Sequence, residues 1–460
     1  MIPLSLKQLS IITYGMLYHI KELDANNLWL TNISINSKEK NISGLFIALK
    51  GNKFDGHDFI KEAILSGAIA LLVNYPLSIA YPQVVVHDTQ LAIGQIAFWI
   101  KSQSNAKVIG ITGSSGKTST KEMVASILTE KNMTLFTKGN YNNYLGVSLT
   151  LFRLTLNHKY IVLEIGANRM NEIKYISQMI KPDSVLINNI HISHLDGFSS
   201  LYGIAQAKAE IFYGLQKYGT AIINLNSHQL SIWNTFFSHK QNIWFFSTKK
   251  QKKSHFYAKN IFSAFKQIKF ILHTPIGEIP IILPLIGNHN IDNAIAASAL
   301  SISAGATLKD IKNGLINLKP IPGRLFPITI MTGKTIIDDT YNANMGSMIE
   351  AINVLNRMPG YRIFVVSDMH ELGNNTIYYH SQIGKIIKKM NFNMVLSIGV
   401  NSVFISKYSL FNKHFFSKKK LITELINLIK INKIISVLIK GSHSNNMKDI
   451  VLTIKDYFLC

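Results

Sequence analysis

The stretch GITGSSGKTSTKEM, residues 110–123, constrains this chain more than any other part of it. Residues 107–111, KVIGI, are short, apolar and β-branched, as a buried strand is. From Thr118 the pattern turns helical, with Met123 and Ile127, then Val124 and Leu128, four residues apart. Between them runs a glycine–serine loop, Gly113, Ser114, Ser115 and Gly116, followed by Lys117, Thr118 and Ser119. Strand, loop and helix in this order aim free backbone N–H groups and a positive helix end at phosphates. Lys117 supplies a point charge to the terminal phosphates, and the Thr118 hydroxyl a Mg²⁺ ligand. The spacing departs from the common phosphate-loop motif once, because Ile111 stands where that motif has its first glycine. The loop binds ATP or GTP. What the nucleotide is used for has to come from the rest of the chain.

A chain of 460 residues implies about two to four domains. No run reaches the ~18–20 apolar residues of a membrane span, and MIPLSLKQLS lacks signal-peptide architecture, so a cytoplasmic protein without membrane insertion is expected. The single cysteine, Cys460, excludes a disulfide framework and a cysteine-ligated metal. The net charge of +23 raises nucleic acid as a partner. Against it, the basic clusters at 249–253 and 418–420 read as loops, and no recognition helix, zinc finger or aromatic-studded RNA-binding strand is present. The abundance of Ile, Asn and Lys fits A/T-rich codons, which explains the charge without a polyanion. No nucleic-acid partner is expected.

Three blocks separate along the chain. In residues 1–88, GLFIAL (44–49), AIALLV (68–73) and QVVVHD (83–88) read as strands, with a helix over 57–66. Residues 89–318 hold the phosphate loop, then YIVLEIGAN (160–168), SVLINNI (184–190) and TAIINLN (220–226), with helical stretches between; that alternation predicts a mostly parallel, helix-covered sheet. After the proline- and glycine-bearing LKPIPGRL (318–325), residues 319–460 carry KTIIDD, RIFVVSD, MVLSIGV and SVLIKGS with helices such as 346–357, a second open α/β sheet.

Open α/β sheets bind ligands at the carboxyl ends of their strands. Glu164 stands there in YIVLEIG, and a Mg²⁺ beside the phosphate loop is the simplest partner for a buried carboxylate. His194 and Asp196, in SHLDGF, are placed to serve the same cation or the substrate. Lys208 lies three and four residues from Ile204, Ala205, Ile211 and Phe212, on the apolar stripe of a helix, where a lysine ordinarily snorkels outward.

TGSSGKTS, LEIGAN, GNYNN (139–143), HLDGF, AKAEIF, GNHN (287–290), PGRL, DDTYNANMGS (338–347) and SDMHELG (367–373) together resemble the Mur ligases, in order and over essentially the whole chain. The resemblance implies a UDP-binding N-terminal domain, an ATPase centre and a Rossmann-like C-terminal domain. Within the family it points to the member that adds D-alanyl-D-alanine to UDP-N-acetylmuramoyl-tripeptide, with ATP and Mg²⁺, as a monomer. The γ-phosphoryl group passes to the tripeptide carboxylate, and the dipeptide amine displaces phosphate from the acyl phosphate. By the same resemblance Lys117 and Thr118 hold phosphates and metal, and Glu164, His194 and Lys208 stand on the metal side. Lys208 matches a lysine that CO₂ carbamylates. Asn290 and Asn293 match the adenine side, Arg324 a γ-phosphate contact, and Asp339 a ribose contact. Ser37, Asn140, Asn142, Asn143, Tyr341 and Asn342 match the substrate side.

Three departures from the family pattern stand out: Asn36 and Lys38 flank Ser37 where aspartate and arginine are usual, His443 replaces an arginine, and Ser367 replaces a glycine before Asp368. Exchanging arginine for lysine loses a bidentate fork. Two relatives of this pattern compete with it. Folylpolyglutamate synthase begins close to its phosphate loop, whereas here about a hundred residues precede Gly113. The diaminopimelate- or lysine-adding Mur ligase often carries an Asp-Asn-Pro-Arg segment that is missing here, and YNAN (341–344) suits the dipeptide-adding enzyme instead.

Overall fold

The computed structural model describes residues 1–193, 195–227, 230–236, 242–264 and 267–459, which build three main sheets. Cys460 and His194 lie outside the described residues. The central sheet is six-stranded and parallel throughout, as its unbroken apolar strands require once helices cover both faces. Its middle strand, Lys107–Thr112, lies between Tyr160–Glu164 and Ser184–Ile187, with Thr134–Phe136 at one edge and Thr220–Asn224 then Asn242–Phe246 on the other side. From Lys107–Thr112 the chain winds first to one side and then to the other. The crevice at that reversal is where such sheets bind ligands.

The helix Lys117–Thr129 follows the phosphate loop and buries Met123, Val124, Ile127 and Leu128. On it pack His289–Ser303 and Leu308–Ile316, so the nucleotide helix is clamped on its outer side. A three-stranded antiparallel sheet, Tyr257–Ser263, Ile268–Thr274 and Gly277–Leu283, covers the same core. In its middle strand Ile268, Phe270 and Leu272 are buried while Lys269 is exposed, the period-two pattern of a half-covered sheet.

The N-terminal sheet has five strands in the order Met16–Tyr18, Gln83–Val85, Ala68–Val73, Gly44–Ile47 and Asn32–Ser34, parallel except for the first pair. Leaving it, the helix Thr89–Ser102 is capped by Asp88, whose carboxylate accepts from Gln90 and Leu91 N–H at 2.7 and 3.1 Å. Its Ile93, Ile96 and Ile100 enter a core continuous with the central sheet. The third sheet has the order Phe326–Met331, Lys334–Asp339, Ile435–Lys440, Tyr361–Ser367, Met394–Ile398 and Asn412–Phe415, with only the first strand antiparallel.

One expectation is corrected. Residues 418–420 do not form a loop; they open the helix Lys418–Ile431. Lysines oppose the positive end of a helix, by about 0.3–1 kcal/mol each. Burial of Leu421, Leu425 and Ile429 along one stripe outweighs that, at about 1.5–3 kcal/mol per side chain, and Lys418 pairs with Asp449 at 3.2 Å.

The seam between Leu308–Ile316 and the nucleotide helix is close at Gly314, where a Cβ would stand 2.4 Å from Ile127 Cα. Ser126 Oγ donates to the Gly314 carbonyl at 2.7 Å across it. Gly314→Ala is therefore expected to destabilise the central domain by about 1–3 kcal/mol. Circular dichroism during urea unfolding measures this; an unchanged midpoint would mean that the seam opens freely.

Candidate active site

The phosphate loop turns at Gly116, whose φ of 76° is in the left-handed region that favours glycine, and the helix starts at the next residue. The loop is fastened to the segment after Ser184–Ile187. Ser115 N–H donates to Asn189 Oδ1 at 2.9 Å, Ser114 Oγ donates to the His191 carbonyl at 2.9 Å, and Asn188 Nδ2 donates to the Ser115 carbonyl at 3.0 Å. Asn188 also donates to Asn293 Oδ1 at 2.9 Å, which in turn accepts from Thr120. Asn293 Nδ2 donates to Asn290 Oδ1 at 3.0 Å, and Asn290 Nδ2 to the Ile286 carbonyl at 2.8 Å. The two asparagines expected on the adenine side therefore also brace the loop from the helix His289–Ser303. Nothing in the motif announced Asn188 and Asn189; the only sequence signal was a polar pair closing an apolar strand.

Above the loop lies a cavity of about 480 Å³. Ser114, Ser115, Gly116, Lys117, Thr118, Ser119, Asn140, Asn142, Glu164, Lys208, Asn290, Asn293, Arg324, Asp339, Tyr341 and Asn342 all line it. Gly113 lies immediately behind, with φ 148° and Asn188 packed against it. Asn143 instead caps the helix Tyr144–Leu151, accepting from Gly146 N–H at 2.9 Å. Ser37 is not at this cavity: it sits in the N-terminal domain and donates to Glu62 at 2.5 Å, beside exposed Asn36 and Lys38.

Lys117 Nζ donates to the Gly113 carbonyl at 2.8 Å. Burial pushes its ammonium below the usual lysine range, with Glu164 opposing and Arg324 adding to that shift. Glu164 is 1% exposed; its Oε1 accepts from Asn142 Nδ2 at 2.8 Å, while Oε2 has no hydrogen-bond partner. A buried carboxylate oxygen left bare is costly. Together with the Thr118 hydroxyl it suits a hard cation such as Mg²⁺, which takes few protein ligands and fills its shell with phosphate oxygens and water. The described residues hold no cluster of three or more His, Cys, Asp or Glu side chains fit for a metal.

Lys208 does not snorkel. It is 2% exposed, on the cavity wall, with Nζ 5.5 Å from the Phe198 ring centroid and no salt bridge among the described residues. Burial, then repulsion from Lys117, lowers it to about 7. Burial raises the carboxyl of Asp292, which also lines the cavity, to about 6.

The third domain closes the site. Arg324 Nη2 donates to Thr118 Oγ1 at 2.7 Å, and its guanidinium lies 4.0 Å from the centroid of Tyr341. Asp339 accepts from Leu325 N–H at 3.1 Å and from buried Lys440 at 2.7 Å, which holds the PGRL turn against the sheet. Lys440 was not foreseen, although a lysine ending the apolar run SVLIK was a visible anomaly. His289 and Glu350 meet across the domains at 3.2 Å. Exposed His443 lies edge-on to Tyr341 at 6.1 Å.

A Cβ on Gly116 would stand 2.5 Å from Asn188 Nδ2 and 2.6 Å from Asn293 Oδ1. Gly116→Ala adds left-handed strain of about 1–2 kcal/mol to that clash. Nucleotide affinity is expected to fall about tenfold or more with an unchanged far-UV spectrum, measured by calorimetric titration with an ATP analogue. Wild-type affinity would contradict the role given to this turn.

Family comparisons agree with this geometry. Residues 30–111 match the family described as "Mur ligase family, catalytic domain", 111–301 "Mur ligase middle domain", and 323–443 "Mur ligase, glutamate ligase domain". The chain is 44% identical over 460 residues to the UDP-N-acetylmuramoyl-tripeptide–D-alanyl-D-alanine ligase of Escherichia coli (strain K12), covering 100% of both. The crystal structure of MurF from Acinetobacter baumannii superposes with a TM-score of 0.91 at 33% identity, over 99% of each chain. That of the MurF ligase from Thermotoga maritima in complex with ADP shares the fold, with a TM-score of 0.82 at 24% identity over 93% of this chain and 98% of that one. The chain belongs to the Mur ligase family.

Proposed function

We propose that this chain joins D-alanyl-D-alanine to the free carboxylate of UDP-N-acetylmuramoyl-tripeptide with ATP, in peptidoglycan precursor synthesis. One observation carries the reading: a single cavity collects the phosphate loop, Asn140 and Asn142 of the GNYNN segment, and Arg324 and Tyr341 of the third domain. Residues 1–88 hold the uridine end, with Ser37 among its contacts; residues 89–318 hold ATP; residues 319–460 bring the dipeptide. YNAN favours the dipeptide over a single diaminopimelate or lysine. No helix among the described residues is long and apolar enough to cross a membrane; by its likeness to the family we take the chain to work as a monomer in the cytoplasm.

The chemistry joins two anions, so it needs positioning and charge neutralisation above all. The backbone N–H groups of residues 116–118 cradle the phosphates, those of Ser114 and Ser115 being held by Asn189. Lys117, and Arg324 from the third domain, neutralise the γ-phosphoryl group as it passes to the tripeptide carboxylate. That makes ADP and an acyl phosphate; the dipeptide amine then adds to the acyl carbon and expels inorganic phosphate. Glu164, Thr118, His194 and, as its carbamate, Lys208 would hold Mg²⁺, which would supply positive charge to offset that of the phosphates. Asn142 orients Glu164 for that task. Asn290 and Asn293 flank the base and Asp339 the ribose, while Tyr341 and Asn342 shape the walls on the peptide side and Asn143 supports them as the cap of Tyr144–Leu151.

A buried lysine whose amine is free near neutrality is the form that reacts with CO₂, giving a carbamate and reversing the charge. Lys208 has that environment, and we assign it this modification. Carbon-13 bicarbonate should give a carbamate signal in the wild type that is absent in Lys208→Ala. The signal should strengthen as pH rises through about 7 and fade below it, because protonation removes the nucleophile. A wild-type spectrum identical to that of Lys208→Ala would leave the lysine unmodified.

Phosphate release should require MgATP, the UDP-tripeptide and D-alanyl-D-alanine together. Turnover with D-alanine alone, or without the UDP-peptide, would contradict the assignment. Lys117→Ala should lower kcat by about 10³-fold or more with the fold intact; a coupled phosphate assay measures both effects.

A further inference from the structure

Lys121 stands on the nucleotide helix four residues beyond Lys117, and it is 0% exposed. A buried ammonium must be paired. Its partners are Glu122, in an ion pair, and the carbonyl of Thr137, which accepts from Nζ at 2.8 Å. Thr137 is also 0% exposed, and each of its polar groups is engaged. Its N–H donates to the Val162 carbonyl at 3.1 Å, and its hydroxyl accepts from the N–H of Glu164 at 3.1 Å. It follows Thr134–Phe136, an edge strand, whose outward carbonyls have no neighbouring strand to bind them. Lys121 fills that need at the residue where the chain leaves the sheet.

From Thr137 the chain runs directly into 138–143. There Asn140 and Asn142 line the cavity, Asn142 donates to Glu164 Oε1 at 2.8 Å, and the Asn142 carbonyl accepts from Gly166 N–H at 2.8 Å. Thr137 therefore ties together the nucleotide helix, the strand that ends in Glu164, and the loop carrying Asn140 and Asn142. Neither Lys121 nor Thr137 lines the cavity.

We infer that Lys121 and Thr137 are a positioning pair, which holds the peptide-side loop and Glu164 in register with the phosphate loop. The inference rests on the ligase reading of the cavity. It says that a lysine outside the phosphate-loop motif sets the distance between the two substrates, acting through Thr137 rather than by touching either.

Steady-state kinetics of wild type, Lys121→Met and Lys121→Arg, with MgATP, UDP-tripeptide and D-alanyl-D-alanine, separate this from a purely structural role. Lys121→Met should raise KM for the UDP-peptide about tenfold and lower kcat by about 10–100-fold, since small misplacements are amplified in this way. Its KM for ATP should stay within about threefold, because Lys117, Thr118 and the loop backbone remain. Lys121→Arg keeps the charge and a donor, and should recover most of the loss. If Lys121→Met fails to fold, Thr137→Val tests the other end of the pair, leaving in place the carbonyl that Lys121 binds. It removes the acceptor for Glu164 N–H without touching the nucleotide helix, and the same split between the two KM values is expected. Parallel changes in both KM values, or a lower melting temperature with both constants unchanged, would overturn the inference. A wild-type enzyme inactive with all three substrates would instead remove the ligase reading, and the inference with it.

Discussion

The site depends on one backbone turn. At Gly116 the chain reverses at the carboxyl end of the middle strand and begins a helix with no side chain in the way, so successive N–H groups converge on one point. Such a turn is stable only if its outward side is held. Here the holders are amides: Asn188, Asn189 and Asn293, bonded to the loop or to one another at 2.9–3.1 Å. Neutral clamps suit this place, since a cation would compete for the phosphate and an anion would repel it.

The clamp also explains how the central and third domains make one site. Helix His289–Ser303, which supplies Asn290 and Asn293, carries His289 toward Glu350 of the third domain. The loop's Thr118 accepts from Arg324, which comes from the turn joining the central and third sheets and is stacked on Tyr341. Asp339 and Lys440, a buried pair at the carboxyl ends of neighbouring strands, fix that turn. The carboxyl edges of the central and third sheets thus face one cavity.

Much of this was legible because the relevant signals are local. A strand, glycine–serine loop and helix are adjacent in sequence, so backbone geometry and residue type together announce a phosphate site. Glu164 and Lys208 were visible as charges in apolar settings, and the structure places both on the cavity wall. The staples Asn188 and Asn189, the Asp339–Lys440 pair and the Lys121–Thr137 bond join positions far apart in the chain, and asparagine or threonine at a strand end is too ordinary to mark them. The antiparallel sheet at 257–283 shows only in the alternation of Ile268, Phe270 and Leu272, a short signal set inside a long parallel βα rhythm. The lysines at 418–420 misled because charge was weighed above the Leu421, Leu425, Ile429 stripe that follows them.

Lys117, Arg324 and Glu164 around one cavity favour activation of a carboxylate by direct phosphoryl transfer. Tripeptide labelled with oxygen-18 in its terminal carboxylate tests it most directly. If the γ-phosphoryl group goes to that carboxylate, the inorganic phosphate released by this enzyme will carry one labelled oxygen, and ADP will be the nucleotide product. Unlabelled phosphate would mean that water attacks ATP, and AMP with pyrophosphate would mean that the carboxylate is adenylated; either would contradict the arrangement of Lys117, Arg324 and Glu164 argued here.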